Sequence, residues 1–212
     1  KLDNLKSAGV IDVRRAKDLE TFKTLDDLDR TLNTDSVVVT LDDKPIALAG
    51  LMGGFETEID DNSTAMLLES AYFPPQTNRR SAKSVGLRTE ASARFERGVD
   101  IAGCRQTLFR AVELLKQYAG AEVVGFVESP PPEVPTIDIT FKYEQIYRVL
   151  GIKFVAEHAL NILKILGFTI KEHNEDGAIV SVPSYRQHDV TRDIDLIEEV
   201  IRIFGYDDIP YD

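Results

Sequence analysis

Residues 65–100 read AMLLESAYFPPQTNRRSAKSVGLRTEASARFERGVD, and the reading of this stretch decides the architecture around it. An apolar run, Ala65 to Leu68, delivers a lone acid, Glu69, and Pro74-Pro75 then stop the extended segment. Proline has no amide to give a ladder, but it fits the first turn of a helix. The pattern predicts a buried strand from Ala65 to Tyr72 and a helix from about Gln76 to Val85. After Gly86, Thr89 precedes Glu90-Ala91-Ser92, the hydroxyl-then-acid chemistry of a second helix start. Between 79 and 97 stand Arg79, Arg80, Lys83, Arg88, Arg94 and Arg97 against only Glu90 and Glu96. Two readings fit this basic island: solvated helices with i,i+4 partners, or a phosphate-facing edge beside a pocket.

Upstream, the chain reads as β-structure. Strands are expected at Ile11–Arg15, Phe22–Leu25, Val37–Leu41 and Ile46–Ala49, the last two joined through Asp42-Asp43-Lys44-Pro45. A further hairpin is expected between Phe22–Leu25 and Asp29–Leu32. Gly50-Leu51-Met52-Gly53-Gly54 places three glycines in five residues: a bulge or corner, or the wall of a ligand pocket. No Gly-Lys-Ser/Thr follows, so it is not a P-loop.

Downstream, Ala102–Ala119 carries Leu108, Ala111, Val112, Leu115 and Tyr118 at helical spacing, and Glu122–Val127 reads as a last strand. Four of the nine prolines fall between Pro130 and Pro135, a stiff linker that sets the domains at 1–129 and 136–211. The second domain reads as a strand (Ile137–Phe141), two short helices (Tyr143–Leu150 and Ala156–Leu166), a hairpin across Asn174-Glu175-Asp176-Gly177 and a final helix from Thr191 to Phe204. The expected class is α+β: a mixed, β-rich first domain, then a small winged-helix-like module.

The chain of 212 residues carries a formal charge of −11, which argues against free-standing non-specific nucleic-acid binding but not against a local contact. The single cysteine, Cys104, forms no internal disulfide, which suits a reducing cytosol, and it is expected to pack in a core. His158, His173 and His188 lack metal-ligand spacing. No apolar run is long enough to cross a bilayer, and the opening KLDNLKSAGVIDV reads as a piece of something longer rather than a signal peptide. On the final helix Ile197, Val200, Ile201 and Phe204 share one face, and Asp195, Glu198 and Glu199 another, with Asp189 just upstream. Those carboxylates are either a solvated acidic face, with Glu198 paired to Arg202, or oxygen ligands for a hard cation such as Mg2+.

Several strings together carry a resemblance. They are Gly50-Leu51-Met52-Gly53-Gly54, Leu67-Leu68-Glu69-Ser70-Ala71-Tyr72-Phe73, Gly86-Leu87-Arg88-Thr89-Glu90-Ala91-Ser92 and Arg94-Phe95-Glu96-Arg97-Gly98. In the second half they are Pro183-Ser184-Tyr185-Arg186, Asp195–Val200 and Phe204–Pro210. The chain resembles the β subunit of bacterial phenylalanine–tRNA ligase over nearly its whole length, as most of the editing domain followed by the fifth domain. The resemblance implies a cytoplasmic α2β2 enzyme that charges tRNA(Phe) using ATP on its α subunit. It implies that the β editing domain hydrolyses tyrosine wrongly attached to that tRNA. By the same resemblance Glu69 recognises the tyrosine hydroxyl, Thr89 and Ala91 line the editing pocket, and Gly50 and Gly53 form its glycine wall. Asp189, Asp195, Glu198 and Glu199 match a Mg2+ site shared with the α subunit; ATP is not bound on this piece.

An apolar synthetic pocket rejects an added hydroxyl only by about a hundredfold, whereas a site built around a carboxylate is left unsatisfied by phenylalanine. The alternative for Glu69 is a structural acid paired with Arg79 or Arg88. Backbone N–H groups near Gly53 and the Thr89 hydroxyl are the expected oxyanion donors. With no Ser-His-Asp or Cys-His set, water attack is expected, and no catalytic base is assigned. The family pocket also draws on a histidine and a threonine from a segment upstream of Lys1, so a pocket open on one side is expected here. Two other readings remain: a non-catalytic scaffold that binds tRNA, DNA or the α subunit, and a small-molecule sensor with a winged-helix output. The acidity of the final helix weighs against DNA reading, which needs a basic recognition helix.

Overall fold

The computed structural model describes residues 9–130, 133–207 and 209. Pro131 and Pro132 of the expected linker, and the outermost residues of both expected domains, lie outside the described residues. The chain divides into two compact units: residues 1–99 with 104–124, and residues 100–103 with 125–212.

The first unit is built on an antiparallel sheet in the order β1-β4-β5-β6, formed by β1 (Ile11–Arg15), β4 (Val37–Leu41), β5 (Lys44–Leu48) and β6 (Met52–Gly53). The β4–β5 hairpin turns on Asp42 and Asp43, with φ of +48° and +65°. A two-residue turn with both residues left-handed matches the twist of the flanking strands, and aspartate tolerates that conformation better than most residues. Pro45 falls where the register shifts, opposite Thr40, the position at which a sheet accepts a missing N–H. A second hairpin joins β2 (Thr21–Lys23) and β3 (Asp29–Thr31). Arg14 clamps it to the sheet, donating to both carboxylate oxygens of Glu20 at 2.8 and 3.0 Å and to Asp43 Oδ1 at 2.6 Å.

Three helices follow: α1 (Pro75–Val85), α2 (Glu90–Arg97) and α3 (Cys104–Ala119). Ala16, Phe22, Leu32, Val38, Leu48, Leu51 and Ala82 form one core cluster, and Val39, Ala49 and Phe73 a second. Gly54 sits where β2 and β5 approach closely: a Cβ there would lie 2.7 Å from the Ile46 carbonyl oxygen and from Phe22 Cζ.

Two expected strands are absent. Residues 65–72 form no strand among the described residues, and Met66, Leu67 and Leu68 are exposed. These residues pair with no strand of the sheet β1-β4-β5-β6, so the apolar run joins no ladder among the described residues. Residues 122–127 likewise run without strand pairing, with Val124 fully exposed. The expected apolar face of α3 is only half-buried: none of its residues is buried, and Cys104, at its first turn, is half-buried too.

The second unit contains a three-stranded antiparallel sheet, order β7-β9-β8, from β7 (Ile137–Lys142), β8 (Thr169–His173) and β9 (Gly177–Val182). Ile137, Ile139 and Phe141 face Val182, Val180 and Ala178 in register, the period-2 alternation that puts one side of a strand in the core. Asn174 Oδ1 closes the β8–β9 turn by accepting from the Asp176 and Gly177 amides at 2.9 and 3.0 Å. Helices α4 (Tyr143–Leu150), α5 (Ala156–Ile165) and α6 (Asp193–Phe204) cover the sheet. One continuous cluster holds Ile139, Phe141, Ile146, Leu160, Leu163, Val180, Leu196, Ile197 and Val200. Phe204, expected on the buried face of α6, stays exposed and packs edge-on against Phe154 at 4.7 Å.

Inside that unit lies one buried acid. Glu199 is 5% exposed, where the sequence pattern placed it on an outward acidic face. Arg186 donates to its two oxygens at 2.7 and 3.0 Å and also to Asp189 at 2.9 Å, and Arg202 donates to Glu199 from the next turn of α6. The Arg186 guanidinium holds the Glu199 carboxyl below its ordinary value; desolvation opposes the shift, and Arg202 adds to it.

Two stability outcomes follow from this packing. Gly54→Ala overpacks a backbone contact and is expected to destabilise the first unit by about 1–3 kcal/mol in a denaturant titration. Glu199→Ala removes the buried partner shared by Arg186 and Arg202, leaving Arg186 with Asp189 alone, and is expected to cost about 3 kcal/mol, against about 0.5 kcal/mol or less for the exposed Glu198→Ala. Because the folded pKa of Glu199 is depressed, its stabilisation is full above its ordinary value of 4.5 and is lost as pH falls below it. The acid limb of unfolding should therefore flatten in Glu199→Gln.

Candidate functional site

Of the residues singled out in the first unit, Thr89 and Gly50 meet at the turn around residue 50. Gly50 adopts φ +67°, a left-handed conformation that glycine takes at no steric cost. A Cβ here would lie 2.3 Å from Asn78 Nδ2 and 3.0 and 3.1 Å from the rings of Phe73 and Phe95. Those two rings pack against each other at 5.3 Å.

The carbonyls of the residues on either side of Gly50, Ala49 and Leu51, are held by side chains from two helices. Asn78, 2% exposed on α1, donates from Nδ2 to the Ala49 carbonyl at 3.2 Å. Thr89, the N-cap of α2, donates its hydroxyl to the Leu51 carbonyl at 2.9 Å. The same Thr89 oxygen accepts from the Ser92 amide at 3.1 Å, and Ser92 Oγ accepts from the Thr89 amide at 2.9 Å, closing a reciprocal cap. The Thr89 proton is thus already committed to Leu51. That corrects the expectation that this hydroxyl is an oxyanion donor. On the same side of α1, Ser81 Oγ accepts from the Val37 amide at 3.3 Å, and Ser84 and Ser36 share a hydrogen bond at 2.9 Å. Sequence reading missed this row, although Asn78 and Ser81 stand at i and i+3 beside Ala82, a spacing that would have shown a polar seam on one helix face. Asn78 Oδ1 accepts no hydrogen bond among the described residues. A buried acceptor left unpaired costs about 1–3 kcal/mol.

Gly53 lies in β6 with its α-carbon against Leu25, whose Cδ1 would meet an added Cβ at 3.1 Å. Ala91, in the first turn of α2, is exposed. Glu69 lies in the irregular segment before α1 and is exposed, with no hydrogen bond or ion pair among the described residues, so neither Arg79 nor Arg88 is its partner. Protein crowding around its carboxyl raises its pKa above the ordinary glutamate value through desolvation, while its exposed surface keeps it reachable from solvent. No hydrogen bond joins Glu69 to the Gly50 turn among the described residues.

The basic island is largely unpaired. Arg94 bonds Glu90 at i,i+4, and Arg79 stands 3.9 Å from Glu96. Arg80, Lys83, Arg88 and Arg97 are exposed and have no anionic partner among the described residues.

In the second unit the four acids expected to hold Mg2+ are differently employed. Both oxygens of Glu199 are taken by guanidinium groups, and Asp189 pairs with Arg186 at 2.9 Å. Asp195 Oδ2 accepts from the Thr191 and Arg192 amides at 3.0 and 2.9 Å, and Arg192 also donates to Oδ1. Burial raises the Asp195 pKa, but those amides and the Arg192 guanidinium outweigh it and hold the carboxyl below its ordinary value. Glu198 alone is exposed and unpaired among the described residues. Among the described residues no group of three His, Cys, Asp or Glu side chains could hold a metal ion. Magnesium demands near-octahedral oxygen ligation, and these carboxylates do not offer it within this chain. A cleft of about 620 Å3 opens at the hairpin end of the three-stranded sheet, lined by Lys142, Tyr143, His173 and Asn174 among others, and shares no residue with either candidate set. No helix among the described residues is long and apolar enough to cross a membrane.

Comparison with known proteins bears on these residues. Residues 1–120 match the B3/4 domain family, and residues 139–206 match the tRNA synthetase B5 domain. The phenylalanine–tRNA ligase β subunit of Bacillus subtilis (strain 168) is 43% identical over 199 residues, covering 93% of this chain and 24% of that protein. The β subunit of Geobacillus kaustophilus (strain HTA426) is 43% identical over 209 residues, covering 98% and 26%. That of Synechococcus elongatus is 42% identical over 207 residues, covering 93% and 26%. The chain spans about a quarter of the length of these curated relatives. With a B3/4 domain followed by a tRNA synthetase B5 domain, in the order and at the identity found in those subunits, the chain belongs to the phenylalanine–tRNA ligase β-subunit family.

Proposed function

We propose that this chain is the editing portion of a phenylalanine–tRNA ligase β subunit, and that it removes tyrosine from tRNA(Phe) within a cytoplasmic α2β2 enzyme whose α subunit performs ATP-dependent charging. One observation carries the reading: Glu69 is an unpaired, solvent-reachable carboxyl, although six cations follow it between residues 79 and 97. A structural acid would have taken one of them as partner. An acid kept free accepts a hydrogen bond from the hydroxyl that separates tyrosine from phenylalanine. Thr89, Ala91, Gly50 and Gly53 shape the neighbouring wall. The unpaired Arg80, Lys83, Arg88 and Arg97 supply the local positive charge that an RNA backbone needs on an otherwise acidic chain. In the reaction, water attacks the ester carbonyl carbon, the bond to the ribose oxygen breaks, and that oxygen takes up a proton, giving tyrosine and free tRNA.

A second reading rests on α3. Its exposed Leu114 and Tyr118 and its lack of any buried residue suit a surface covered by another part of the assembly, as in a non-catalytic module that binds tRNA, DNA or the α subunit. For Mg2+, Asp189, Asp195, Glu198 and Glu199 would hold the ion only together with ligands from the α subunit.

The first test compares tyrosyl-tRNA with phenylalanyl-tRNA as substrates for the intact ligase carrying this chain. Glu69→Ala is expected to abolish the preference for tyrosine while leaving phenylalanine charging and the melting temperature unchanged. Undiminished tyrosyl clearance by that variant would sink the editing role of Glu69. Clearance by neither protein would favour the scaffold reading. For this chain alone, millimolar Mg2+ is expected to leave the unfolding midpoint of the second unit unchanged; a marked rise would restore the acids as a self-sufficient site.

A further inference from the structure

We infer that Asn78 is a positioning residue of the editing site, acting through the Gly50 turn; the inference rests on the editing reading above. Three observations carry it. Asn78 is 2% exposed, a polar side chain in a place where α1 could have set an apolar one. Its amide holds the Ala49 carbonyl, in the peptide that leads into the left-handed residue, while Thr89 holds the Leu51 carbonyl one peptide beyond it, so the turn is anchored from two different helices. Its Nδ2 occupies the space that a Cβ on Gly50 would need, at 2.3 Å, so the amide and the glycine specify each other.

The consequence is orientational. A glycine at φ +67° has other conformations open to it at little cost. Backbone bonds from Ala49 N–H to Val37 and from Leu51 N–H to Leu48 hold the amides of the turn, while Asn78 and Thr89 hold the Ala49 and Leu51 carbonyls, so loss of either side chain leaves a carbonyl unheld and lets its peptide plane tilt. Thr89 belongs to the pocket and to the start of α2, so its anchor follows the pocket itself. Asn78 is the anchor on the far side, out of reach of any ligand in this conformation. It acts on the reaction by holding the wall in register rather than by touching the substrate. Misplacement of a reacting group by about 1 Å can lower a rate about a hundredfold without changing what binds.

Ser81 provides the matched control. It lies one turn further along α1, 1% exposed, and ties the helix to the Val37 amide on the strand paired with Ala49, without holding a carbonyl of the turn itself. In the intact ligase carrying this chain, Asn78→Leu keeps the branched shape and removes the hydrogen bond, and Asn78→Ser serves as a smaller variant should the first not fold. The expected result is a fall of about tenfold or more in kcat for tyrosyl-tRNA hydrolysis with little change in KM, phenylalanine charging intact, and Ser81→Ala unaltered in kcat despite a lowered melting temperature. Unchanged kcat in the Asn78 variants overturns the inference and leaves the editing reading standing. So does an equal kcat loss in Ser81→Ala at matched melting temperature, or failure of both Asn78 variants to fold, since either makes the residue structural. Absence of tyrosyl clearance by the unsubstituted enzyme removes the editing reading and the inference with it.

Discussion

The first unit depends on how it satisfies the backbone where its main sheet ends. A buried carbonyl or amide without a partner is expensive enough that folded chains nearly always pair it. At the ends of β4 and β5, around Val37 and Ala49 to Leu51, helices α1 and α2 add side-chain bonds to the backbone: Asn78 to the Ala49 carbonyl, Thr89 to the Leu51 carbonyl, and Ser81 from the Val37 amide. This explains why the inner row of α1 is small and polar rather than leucine-rich. A large apolar residue at 78 or 81 would exclude water from these groups and pair none of them. It also explains why the unit is built from two modest apolar clusters instead of one.

The second unit solves the same problem in the opposite way. Its strands and helices bury a continuous aliphatic core, and the backbone pairs with itself. The exception is Glu199, a carboxylate at 5% exposure on a helix whose neighbours are Val200 and Ile201. Removing an acid from water is tolerable when cations and hydrogen bonds replace its hydration, and Arg186 and Arg202 do so from two directions. Arg186 also reaches Asp189, so one guanidinium binds the turn at 184–186 to α6. An acid cluster that looks like a cation site in sequence is, within this chain, largely an arginine site.

What the sequence made legible follows from the range over which each feature is decided. Hairpins and helix ends are settled by neighbours: the Asp42-Asp43 turn, the Thr89 cap and the Asn174 turn appear where turn and cap chemistry put them. The helix after Pro74-Pro75 likewise begins at Pro75. Residues 65–72 and 122–127 carry strand-like composition but no strand, because a strand also needs a free edge to pair with, and composition says nothing about edges. Of the residues named through the family strings, Thr89 and Gly50 lie at one turn, and their local chemistry differs from expectation. The Thr89 hydroxyl is already committed to a carbonyl, and the Gly50 conformation and packing would demand glycine with or without a ligand. Asn78 stayed hidden because an asparagine next to Arg79-Arg80 reads as surface.

The charge distribution then gives the free acid its meaning. Elsewhere in the first unit cations are used to bind structure together: Arg14 with Glu20 and Asp43, Arg30 with Asp26, Lys23 with Asp27. In the basic island the habit lapses, and Arg80, Lys83, Arg88 and Arg97 stay open to solvent while Glu69 finds no partner. Had Glu69 been drawn into an ion pair, its pKa would have fallen, and its oxygens would have been filled by a donor that no incoming hydroxyl displaces cheaply. Desolvation pushes the pKa the other way, the shift expected of a carboxyl that the fold surrounds but leaves without a counter-charge. On the editing reading, an acid and a set of cations that stay unpaired among the described residues suit a ligand that offers a partner to each. A tyrosyl ester on RNA presents the two complementary groups, a hydroxyl for the acid and phosphates for the cations.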